Sequence, residues 1–373
     1  MTTNKARKAL TNKTTVSSIV LKIRNFFMAI WAFIKKNRWV QILIIVLTTL
    51  FMVVMAFGVS YAFIHRNDPV QIGVSFSKKY SEELGNDWRA NYRALLEDIN
   101  FDKLRLMSYW DENEPKRYEY NFSDLDWQMD EAELNNAKIS LSVGLRQPRW
   151  PECHYPDWAR DLETDEMQTM LLVYIEQVVL RYRNHPALES YQVENEVANK
   201  HFGDCPAYDR DFYAQEIDLI KSLDSENLVI TNASNQSGFP IRSQVGDKVG
   251  FSVYRRAHFE ALGRQVTWSF WYVPSWWHGM RAMAVEILHD ADTFIHELQA
   301  EPWGPKPTQE LTIEEQYRTM NPDKFIEITN YVQSTGMKEY YLWGGEWWYW
   351  LKNNHGNPDM WNVVKAKVES TRF

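Results

Sequence analysis

From Val70 to the C-terminus, short apolar runs alternate with longer amphipathic segments. Such alternation is typical of βαβ units, and therefore of a parallel sheet. Eight runs predict strands, at Val70–Phe76, Lys103–Ser108, Lys138–Val143, Leu188–Val193, Leu228–Thr231, Val249–Val253, Thr293–Leu298 and Glu339–Leu342. Eight parallel strands with intervening helices predict a (β/α)₈ (TIM) barrel, an α/β fold that takes about 250 residues as one domain.

The predicted fifth and sixth strands leave little room for a helix between them. They begin at Leu228 and Val249, which are 249 − 228 = 21 residues apart. Because a parallel crossover usually contains a helix of its own, this fifth unit is the weakest part of the predicted barrel.

An uncharged apolar segment precedes the barrel. Residues 39–64 are mostly Leu, Ile, Val, Phe and Met, and 26 helical residues can cross about 30 Å of hydrocarbon. Lys35, Lys36 and Arg38 flank one end, and the acidic remainder of the chain follows the other. This asymmetry predicts a single-pass transmembrane helix with a cytoplasmic N-terminus and an extracytoplasmic barrel. A cleaved signal peptide is the competing interpretation, but its apolar core is about 7–15 residues long after a short basic leader.

The sequence therefore predicts three parts: a basic segment (1–38), a transmembrane helix (39–64) and a barrel domain (65–373). In the first part, residues 19–34 mix Lys and Arg with large apolar side chains, which is typical of an amphipathic helix lying on the inner leaflet. A disordered basic tail explains the same composition, and the sequence leaves both open. Membrane lipid is the expected partner of the apolar helix.

The charge distribution argues against nucleic acid as a partner. The first 38 residues hold nine Lys or Arg and no Asp or Glu, so the remaining chain has a net charge of −8 − 9 = −17. Binding of a phosphate backbone requires clustered Lys and Arg. The chain is also rich in aromatic residues, with 17 Trp, 19 Tyr and 18 Phe. We expect about half of them to fill the core and the others to line a binding cleft.

The two cysteines, Cys153 and Cys205, both fall in predicted loops, after the third and fourth strands. These loops are neighbours at the mouth of a barrel, and an extracytoplasmic location permits a disulfide between them. Two unrelated free thiols are the alternative. Neither cysteine has a second one at metal-binding spacing, and the nine histidines are scattered, so no metal site is expected.

Two glutamate-bearing segments, Tyr191–Glu196 and Leu298–Gly304, carry the candidate chemistry. Each closes an apolar run, so Glu196 and Glu301 are expected at the C-terminal ends of the fourth and seventh strands, 301 − 196 = 105 residues apart. In a (β/α)₈ barrel these ends face each other across the mouth, where active sites of the fold lie. Two facing carboxylates are what cleavage of a glycosidic bond needs, because one donates a proton and the other attacks or activates water.

The same segments resemble those of the clan A glycoside hydrolases, which are retaining (β/α)₈ enzymes related to families 5, 39 and 42. Asn195-Glu196 is similar to the end of their fourth strand, and Glu301-Pro302-Trp303-Gly304 is similar to the run around their nucleophile. Leu104–Trp110 resembles their second strand, and Pro148-Arg149-Trp150-Pro151 resembles the segment after their third. The resemblance extends from about Val70 to the C-terminus.

This resemblance implies roles for individual residues. Glu196 is expected to be the general acid/base and Glu301 the nucleophile of a double displacement. Asn195 is expected to bind the sugar 2-hydroxyl. Arg105 and Tyr254 are expected to hold Glu301 ionised and in position, although Arg105 could instead form an ordinary buried ion pair.

Two further glutamates, Glu194 and Glu297, share the parity of the candidate pair along their strands. We interpret both as polar residues of the barrel interior. The alternative, that Glu297 is the nucleophile, would place the reacting carboxylate below the mouth.

Tryptophans at strand ends are candidates for stacking on a sugar ring. Trp343 ends the eighth strand, and the others follow the second, third and seventh, at Trp110, Trp150 and Trp303. Each of them could equally be a packing residue. A second group crowds the segment between the sixth and seventh strands, at Trp268, Trp271, Trp276 and Trp277.

Together these observations predict a membrane-anchored, extracytoplasmic retaining β-glycoside hydrolase that acts on an oligo- or polysaccharide without a cofactor. A surface transglycosidase that transfers the glycosyl unit to another sugar, and a carbohydrate-binding barrel without catalysis, are the alternatives.

Overall fold

The computed structural model describes residues 21–22, 24–199, 202–234, 246–261 and 264–372. The chain divides into two units, Met1–Ala56 and Phe57–Phe373. In the first, residues 24–36 are helical, and helix α1 (Arg38–Ile64) begins after a break at Asn37. Within the described chain, one helical segment, Arg38–Asn67, is long and apolar enough to cross a membrane, with a mean hydropathy of 2.8.

Eight parallel strands of the second unit form a closed barrel in the order β1-β10-β9-β6-β5-β4-β3-β2. The strands are β1 (Gln71–Ser75), β2 (Lys103–Met107), β3 (Lys138–Val143), β4 (Leu188–Val193), β5 (Leu228–Ala233), β6 (Lys248–Val253), β9 (Asp292–Gln299) and β10 (Glu339–Trp343). All eight predicted strands are present, and the predicted (β/α)₈ barrel is confirmed.

Helices cover the outside of this barrel. They are α2 (Lys78–Glu83), α3 (Trp88–Ala94), α4 (Trp110–Asn113), α5 (Ser123–Leu134), α6 (Thr164–Tyr182), α7 (Arg210–Leu223), α8 (Ser275–His289), α9 (Ile313–Tyr317), α10 (Pro322–Gln333), α11 (Gly345–Asn354) and α12 (Asp359–Glu369). Leu95–Ile99 forms a π-helical turn, and 3₁₀ turns occur at His65–Asn67, Asp157–Ala159 and Thr308–Glu310. Most of the connection between β5 and β6 lies outside the described residues, so the weak fifth unit stays a prediction.

An antiparallel hairpin interrupts the alternation after the sixth strand. Its strands are β7 (Arg256–Ala261) and β8 (Arg264–Ser269), and Ala257 pairs with Trp268. The hairpin was not predicted, because its first strand follows β6 almost without a break. Trp268 therefore lies on a strand, where it is about half exposed.

The barrel interior is layered from bottom to top. At the bottom, Lys103 of β2 contacts Glu189 of β4 at 2.8 Å and Glu339 of β10 at 3.2 Å. Lys248 of β6 also pairs with Glu339. One residue from each alternate strand therefore closes the floor, as is usual for this fold. Above it lies a buried apolar group formed by Ile230, Phe294 and Tyr341, and the polar residues of the mouth lie above that.

The last turns of α1 belong to the second unit and pack against its outer helices. Tyr61 is only 3 % exposed, and its hydroxyl contacts Thr293 Oγ1 at 2.9 Å and donates to Glu286 at 3.0 Å. Gly58 lies against α8, where a Cβ at residue 58 would be 1.9 Å from the carbonyl oxygen of Trp276. Because that oxygen belongs to the backbone, a side chain at residue 58 would force the two helices apart.

We therefore expect Gly58→Leu to destabilise the barrel unit by about 1–3 kcal/mol, the usual cost of overpacking. The matched control is Val59→Leu, because Val59 is half exposed on the same helix. The measurement is the urea unfolding curve of the full-length protein in detergent, with tryptophan fluorescence as the signal. Equal midpoints for the two variants would contradict the packing described at Gly58.

Candidate active site

A cavity of about 530 Å³ opens at the C-terminal ends of the barrel strands. Among the glutamates that line it are Glu196 after β4, Glu297 in β9 and Glu301 just beyond β9. The sequence predicted the first and third of them as the reacting pair. Their hydrogen-bond partners show which carboxylates are arranged for chemistry.

Glu196 is held by side chains from three neighbouring elements. Ser252 Oγ donates to Glu196 Oε1, and Asn199 and Ser234 each donate to Oε2 at 3.1 Å. Burial raises the pKa of Glu196, and the negative charge of Glu297 raises it further, against the smaller lowering effect of these hydrogen bonds. A carboxyl group in this environment keeps its proton to a higher pH than an exposed glutamate does.

Glu297 is held as a carboxylate. Arg105 Nη2 donates to Glu297 Oε1 at 2.8 Å, and the Tyr254 hydroxyl donates to Oε2 at 3.0 Å. Burial alone would raise the pKa of Glu297, but the Arg105 guanidinium, with help from Tyr254, brings that pKa below its ordinary value. The two carboxyl groups therefore differ in the direction expected of a proton donor and an ionised nucleophile.

A local irregularity of β9 brings Glu297 to the cavity. Between Gly250 and Ser252 the partner strand β6 advances two residues, whereas β9 advances three, from Phe294 to Glu297. The extra residue breaks the two-residue alternation, so the consecutive residues His296 and Glu297 both direct their side chains into the barrel interior.

His296 connects the two glutamates through a chain of hydrogen bonds. Arg105 Nη1 lies 3.1 Å from His296 Nδ1, and since an arginine only donates, Nδ1 accepts and Nε2 carries the proton. Nε2 lies 3.1 Å from Ser252 Oγ, which in turn donates to Glu196. Burial lowers the pKa of His296 to about 3, so the ring is neutral. Gly250 leaves room for this ring, because a Cβ there would be 2.7 Å from that of His296.

Arg105 and Tyr254 thus serve Glu297, and the expectation that they hold Glu301 is wrong. Glu301 instead accepts Arg149 Nη1 on Oε1 at 2.5 Å and Trp343 Nε1 on the same oxygen at 2.8 Å. The Glu301 carboxylate is therefore occupied by partners that do not touch Glu297.

Arg149 is the centre of a buried charged group at this side of the cavity. Its guanidinium lies between the rings of Tyr80 and Trp343, 3.7 and 4.1 Å from their centroids. It also contacts Glu346 at 3.2 Å, and burial raises the pKa of Glu346 to about 6. Arg149 thus bonds two acids, Glu301 and Glu346, in one buried group.

Asn195 lines the cavity, where its side chain bonds Arg105 and Glu152. Its Oδ1 accepts from Arg105 at 3.3 Å and its Nδ2 donates to Glu152 at 3.0 Å. Burial raises the pKa of Glu152 to about 8, so this acid is neutral at pH 7. Whether Asn195 binds the 2-hydroxyl stays a prediction.

The interpretation of Glu194 as an interior residue is wrong. Glu194 follows the last residue of β4 with φ +56°, so the strand alternation no longer applies to it. Its carboxylate accepts the backbone N–H groups of Leu145 and Arg146 at 2.6 and 2.5 Å. Glu216 of α7 lies beside it, and burial together with the charge of Glu194 raises the pKa of Glu216 well above its usual range.

The predicted tryptophans have different environments. Trp150, Trp303 and Trp343 line the cavity. Trp110 does not, since it is fully buried, donates to Glu114 at 2.7 Å and packs against other aromatic rings. Its expected role in substrate binding is therefore wrong, because α4 turns its side chain into the core.

The structure joins Cys153 and Cys205 by a disulfide with a Cα–Cα distance of 5.3 Å. Cys153 comes directly after Glu152, and Cys205 belongs to the segment that follows Glu196. The bridge thus links the loops after β3 and β4 beside the cavity.

Among the described residues, one group of three side chains has the spacing of a metal site, formed by Asp130, Glu133 and His185. These residues do not line the cavity. His185 Nδ1 accepts the N–H of Ala187 at 3.2 Å, so its Nε2 carries a proton toward the acids instead of a lone pair.

Sequence reasoning missed several residues of the site. Ser252, His296 and Glu152 carried no motif. Arg149 belongs to the segment Pro148–Pro151, whose resemblance to glycoside hydrolases implies no role for that arginine. A positive φ at Arg149 (+88°) and Glu152 (+72°) makes this loop irregular, and no periodicity predicts where its side chains lie.

No family model matches the sequence, and no curated protein matches it. Solved structures do resemble it. A β-galactosidase from the Antarctic haloarchaeon Halorubrum lacusprofundi has a TM-score of 0.53 and 15 % identity, covering 81 % of this chain and 58 % of that chain. The exo-β-1,4-mannosidase Op5Man5 from Opitutaceae bacterium strain TAV5 has a TM-score of 0.53 and 14 % identity, covering 81 % and 60 %.

A GH5_18 protein from Bifidobacterium longum subsp. infantis has a TM-score of 0.56 and 12 % identity, covering 81 % of this chain and 79 % of that chain. The chain spans about three fifths of the length of the first two structures. These similar structures are clan A glycoside hydrolases. At these identities the likeness shows a shared barrel fold.

Proposed function

We propose that this protein is a retaining β-glycoside hydrolase in which Glu196 is the general acid/base and Glu297 is the nucleophile. The observation that carries the proposal is the opposite environment of the two carboxyl groups in one cavity. Arg105 lowers the pKa of Glu297, whereas burial and the charge of Glu297 raise the pKa of Glu196. The barrel fold shared with glycoside hydrolases supports the same conclusion.

In the first step, Glu297 attacks the anomeric carbon while Glu196 gives its proton to the departing glycosidic oxygen. The C–O bond to the leaving group breaks as the bond to Glu297 forms, which produces a glycosyl-enzyme. The Arg105 and Tyr254 contacts fix the attacking carboxylate, so little reorganisation is needed.

In the second step, Glu196 is ionised and takes a proton from water, whose oxygen displaces Glu297 from the anomeric carbon. When Glu297 is esterified its negative charge disappears, and with it one cause of the raised pKa of Glu196. The same residue thus changes from acid to base between the steps.

Glu301 is better suited to binding than to attack. Arg149 and Trp343 already bond its carboxylate, and it lies beyond the end of β9. We propose that it accepts a sugar hydroxyl, with Trp343 and Asn195 as further contacts.

We also propose that α1 anchors the barrel domain to a membrane, with that domain on the extracytoplasmic side. The length and hydropathy of the helix and the basic residues before it support this placement. The burial of Tyr61 in the barrel unit favours an uncleaved helix over a signal peptide, because cleavage before residue 65 would remove a packed residue.

The test is digestion of a panel of β-linked polysaccharides and aryl glycosides by the full-length protein in detergent, with Glu297→Gln as control. We expect products only from the unmodified protein. The first NMR spectra should show the newly formed reducing end of these products in the β-configuration. Binding without cleavage by both proteins would instead identify a carbohydrate-binding barrel, and products extended by an added acceptor sugar would identify a transglycosidase.

The pH dependence of kcat/KM should be bell-shaped. Activity needs Glu297 ionised and Glu196 protonated, so it rises with pH through the lowered pKa of Glu297 and falls through the raised pKa of Glu196. With an activated aryl glycoside, Glu196→Gln should lose the falling limb, since no proton donor is then required. Persistence of that limb in the variant would assign it to another group.

A further inference from the structure

Three aromatic rings form a continuous row at the edge of the cavity. The ring centroids of Trp150 and Phe202 are 5.9 Å apart, and those of Phe202 and Trp303 are 6.0 Å apart. Trp303 in turn lies 5.3 Å from Tyr254, the residue that donates to Glu297. The row therefore leads from the candidate nucleophile to the rim of the cavity.

The two rings of this row that lie farther from Tyr254 are exposed to an unusual degree. Trp150 is 68 % exposed and Phe202 is 37 % exposed, although both are large and apolar. All three rings line the cavity. Contiguous exposed apolar surface beside a cleft marks a binding surface, and a flat ring offers the C–H face of a pyranose a matching apolar partner.

The loops that carry Trp150 and Phe202 are held rigidly against each other. The disulfide of Cys153 and Cys205 links them, and Asp204 N donates to the carbonyl of Pro151 at 2.9 Å. Arg146 Nη2 also donates to the Phe202 carbonyl at 2.7 Å. A surface fixed before binding loses little entropy when a ligand is bound.

The middle ring of the row is carried by the segment that also contacts the proton donor. Asn199, which donates to Glu196, and Phe202 belong to the same segment after β4. Glu196 gives its proton to the leaving-group oxygen, so sugar units of the leaving group are the ones that reach this segment.

We propose that Trp150, Phe202 and Trp303 form a stacking platform for the leaving-group sugars, so that the substrate is a saccharide chain extending beyond the cleaved bond. This inference rests on the proposed function, because it uses Glu196 as the proton donor. The disulfide is part of the platform, since it links the two loops that carry Trp150 and Phe202.

The experiment compares kcat/KM of the full-length protein on an aryl glycoside and on β-linked gluco-, manno- and galacto-oligosaccharides from disaccharide to hexasaccharide. We expect kcat/KM to rise with chain length. Trp150→Ala should lower it about tenfold on the longer chains, the effect of one lost stacking contact, and less than about twofold on the aryl glycoside. Replacing both cysteines by serine should also lower kcat/KM more on the longer chains than on the aryl glycoside.

Trp271→Ala is the matched control, because Trp271 is also exposed but does not line the cavity. The Trp271→Ala variant should leave kcat/KM unchanged on both the aryl glycoside and the oligosaccharides. Equal losses on aryl glycoside and oligosaccharide in Trp150→Ala, or no rise of kcat/KM with chain length in the unmodified protein, would overturn the platform.

Calorimetric binding of the same oligosaccharides to Glu297→Gln separates this inference from the proposed function. Should the unmodified protein cleave no sugar, the proposed function fails. Binding that tightens with chain length and weakens about tenfold in Trp150→Ala/Glu297→Gln would still support the platform. Absent or length-independent binding would overturn it.

Discussion

Glu297→Gln should lose about 10⁴-fold or more of its turnover while substrate binding persists, because glutamine keeps the shape of the side chain but cannot attack the anomeric carbon. Arg105 and Tyr254 hold the present carboxylate at 2.8 and 3.0 Å. In the variant, Arg105 can still donate to the amide oxygen, and the Tyr254 hydroxyl oxygen can accept from the amide nitrogen. The measurement is kcat on the best substrate of the panel, together with calorimetric binding of that substrate.

The matched control is Glu301→Gln, the same chemical change four residues further along the chain. Its carboxylate bonds Arg149 and Trp343 and has a positioning role here, so its loss should stay below about 10²-fold. Reversed losses in the two variants would return the role of nucleophile to Glu301.

Azide gives a second readout on Glu297→Ala. With the nucleophile truncated, azide enters from the face that Glu297 vacated and displaces the leaving group once, so the product should be the inverted α-glycosyl azide. A β-glycosyl azide from this variant would mean that Glu297 is not the attacking group.

The second large effect is expected of Glu196→Ala. Substrates with sugar leaving groups should lose about 10²–10⁴-fold in kcat/KM, the usual contribution of a general acid, whereas aryl glycosides with good leaving groups should be largely spared in the first step. Water then lacks its base, so the glycosyl-enzyme accumulates. Kinetics on a series of aryl leaving groups measures both effects.

Azide should restore turnover of Glu196→Ala and yield the β-glycosyl azide, because it attacks a glycosyl-enzyme that has already been inverted once. The opposite configurations expected from Glu196→Ala and Glu297→Ala identify which glutamate has which role. Equal losses of Glu196→Ala on all leaving groups would argue against an acid/base.

The sequence predicted the barrel well because its strands are short apolar runs between amphipathic helices, and burial produces that pattern directly. It also predicted Tyr254 and Asn195 at strand ends near the mouth and Arg105 inside the barrel. Their positions depend on which strand ends there, and a regular barrel determines those ends.

The partner of Arg105 could not be predicted in the same way. The extra residue in β9 turns both His296 and Glu297 inward, and an alternation of period two cannot show where such an irregularity falls. Glu194 was misread for a related reason, since β4 ends at Val193 and its successor adopts a left-handed backbone.

Residues on irregular loops were the least predictable. Arg149 and Glu152 come from distant loop positions, and their roles depend on three-dimensional partners such as Glu301 and Asn195. Trp110 was expected in the cavity but is buried in the core, since a tryptophan after a strand can enter the core as readily as the cavity.

The most direct test is to trap the glycosyl-enzyme. A 2-deoxy-2-fluoro aryl β-glycoside of the sugar identified in the panel slows both steps, and its good leaving group lets the intermediate form and persist. After tryptic digestion of the full-length protein, fragmentation between Leu298 and Ala300 separates Glu297 from Glu301 on one peptide. A sugar attached to Glu297 is the expected result, and a sugar attached to Glu301 would contradict the assignment of the nucleophile.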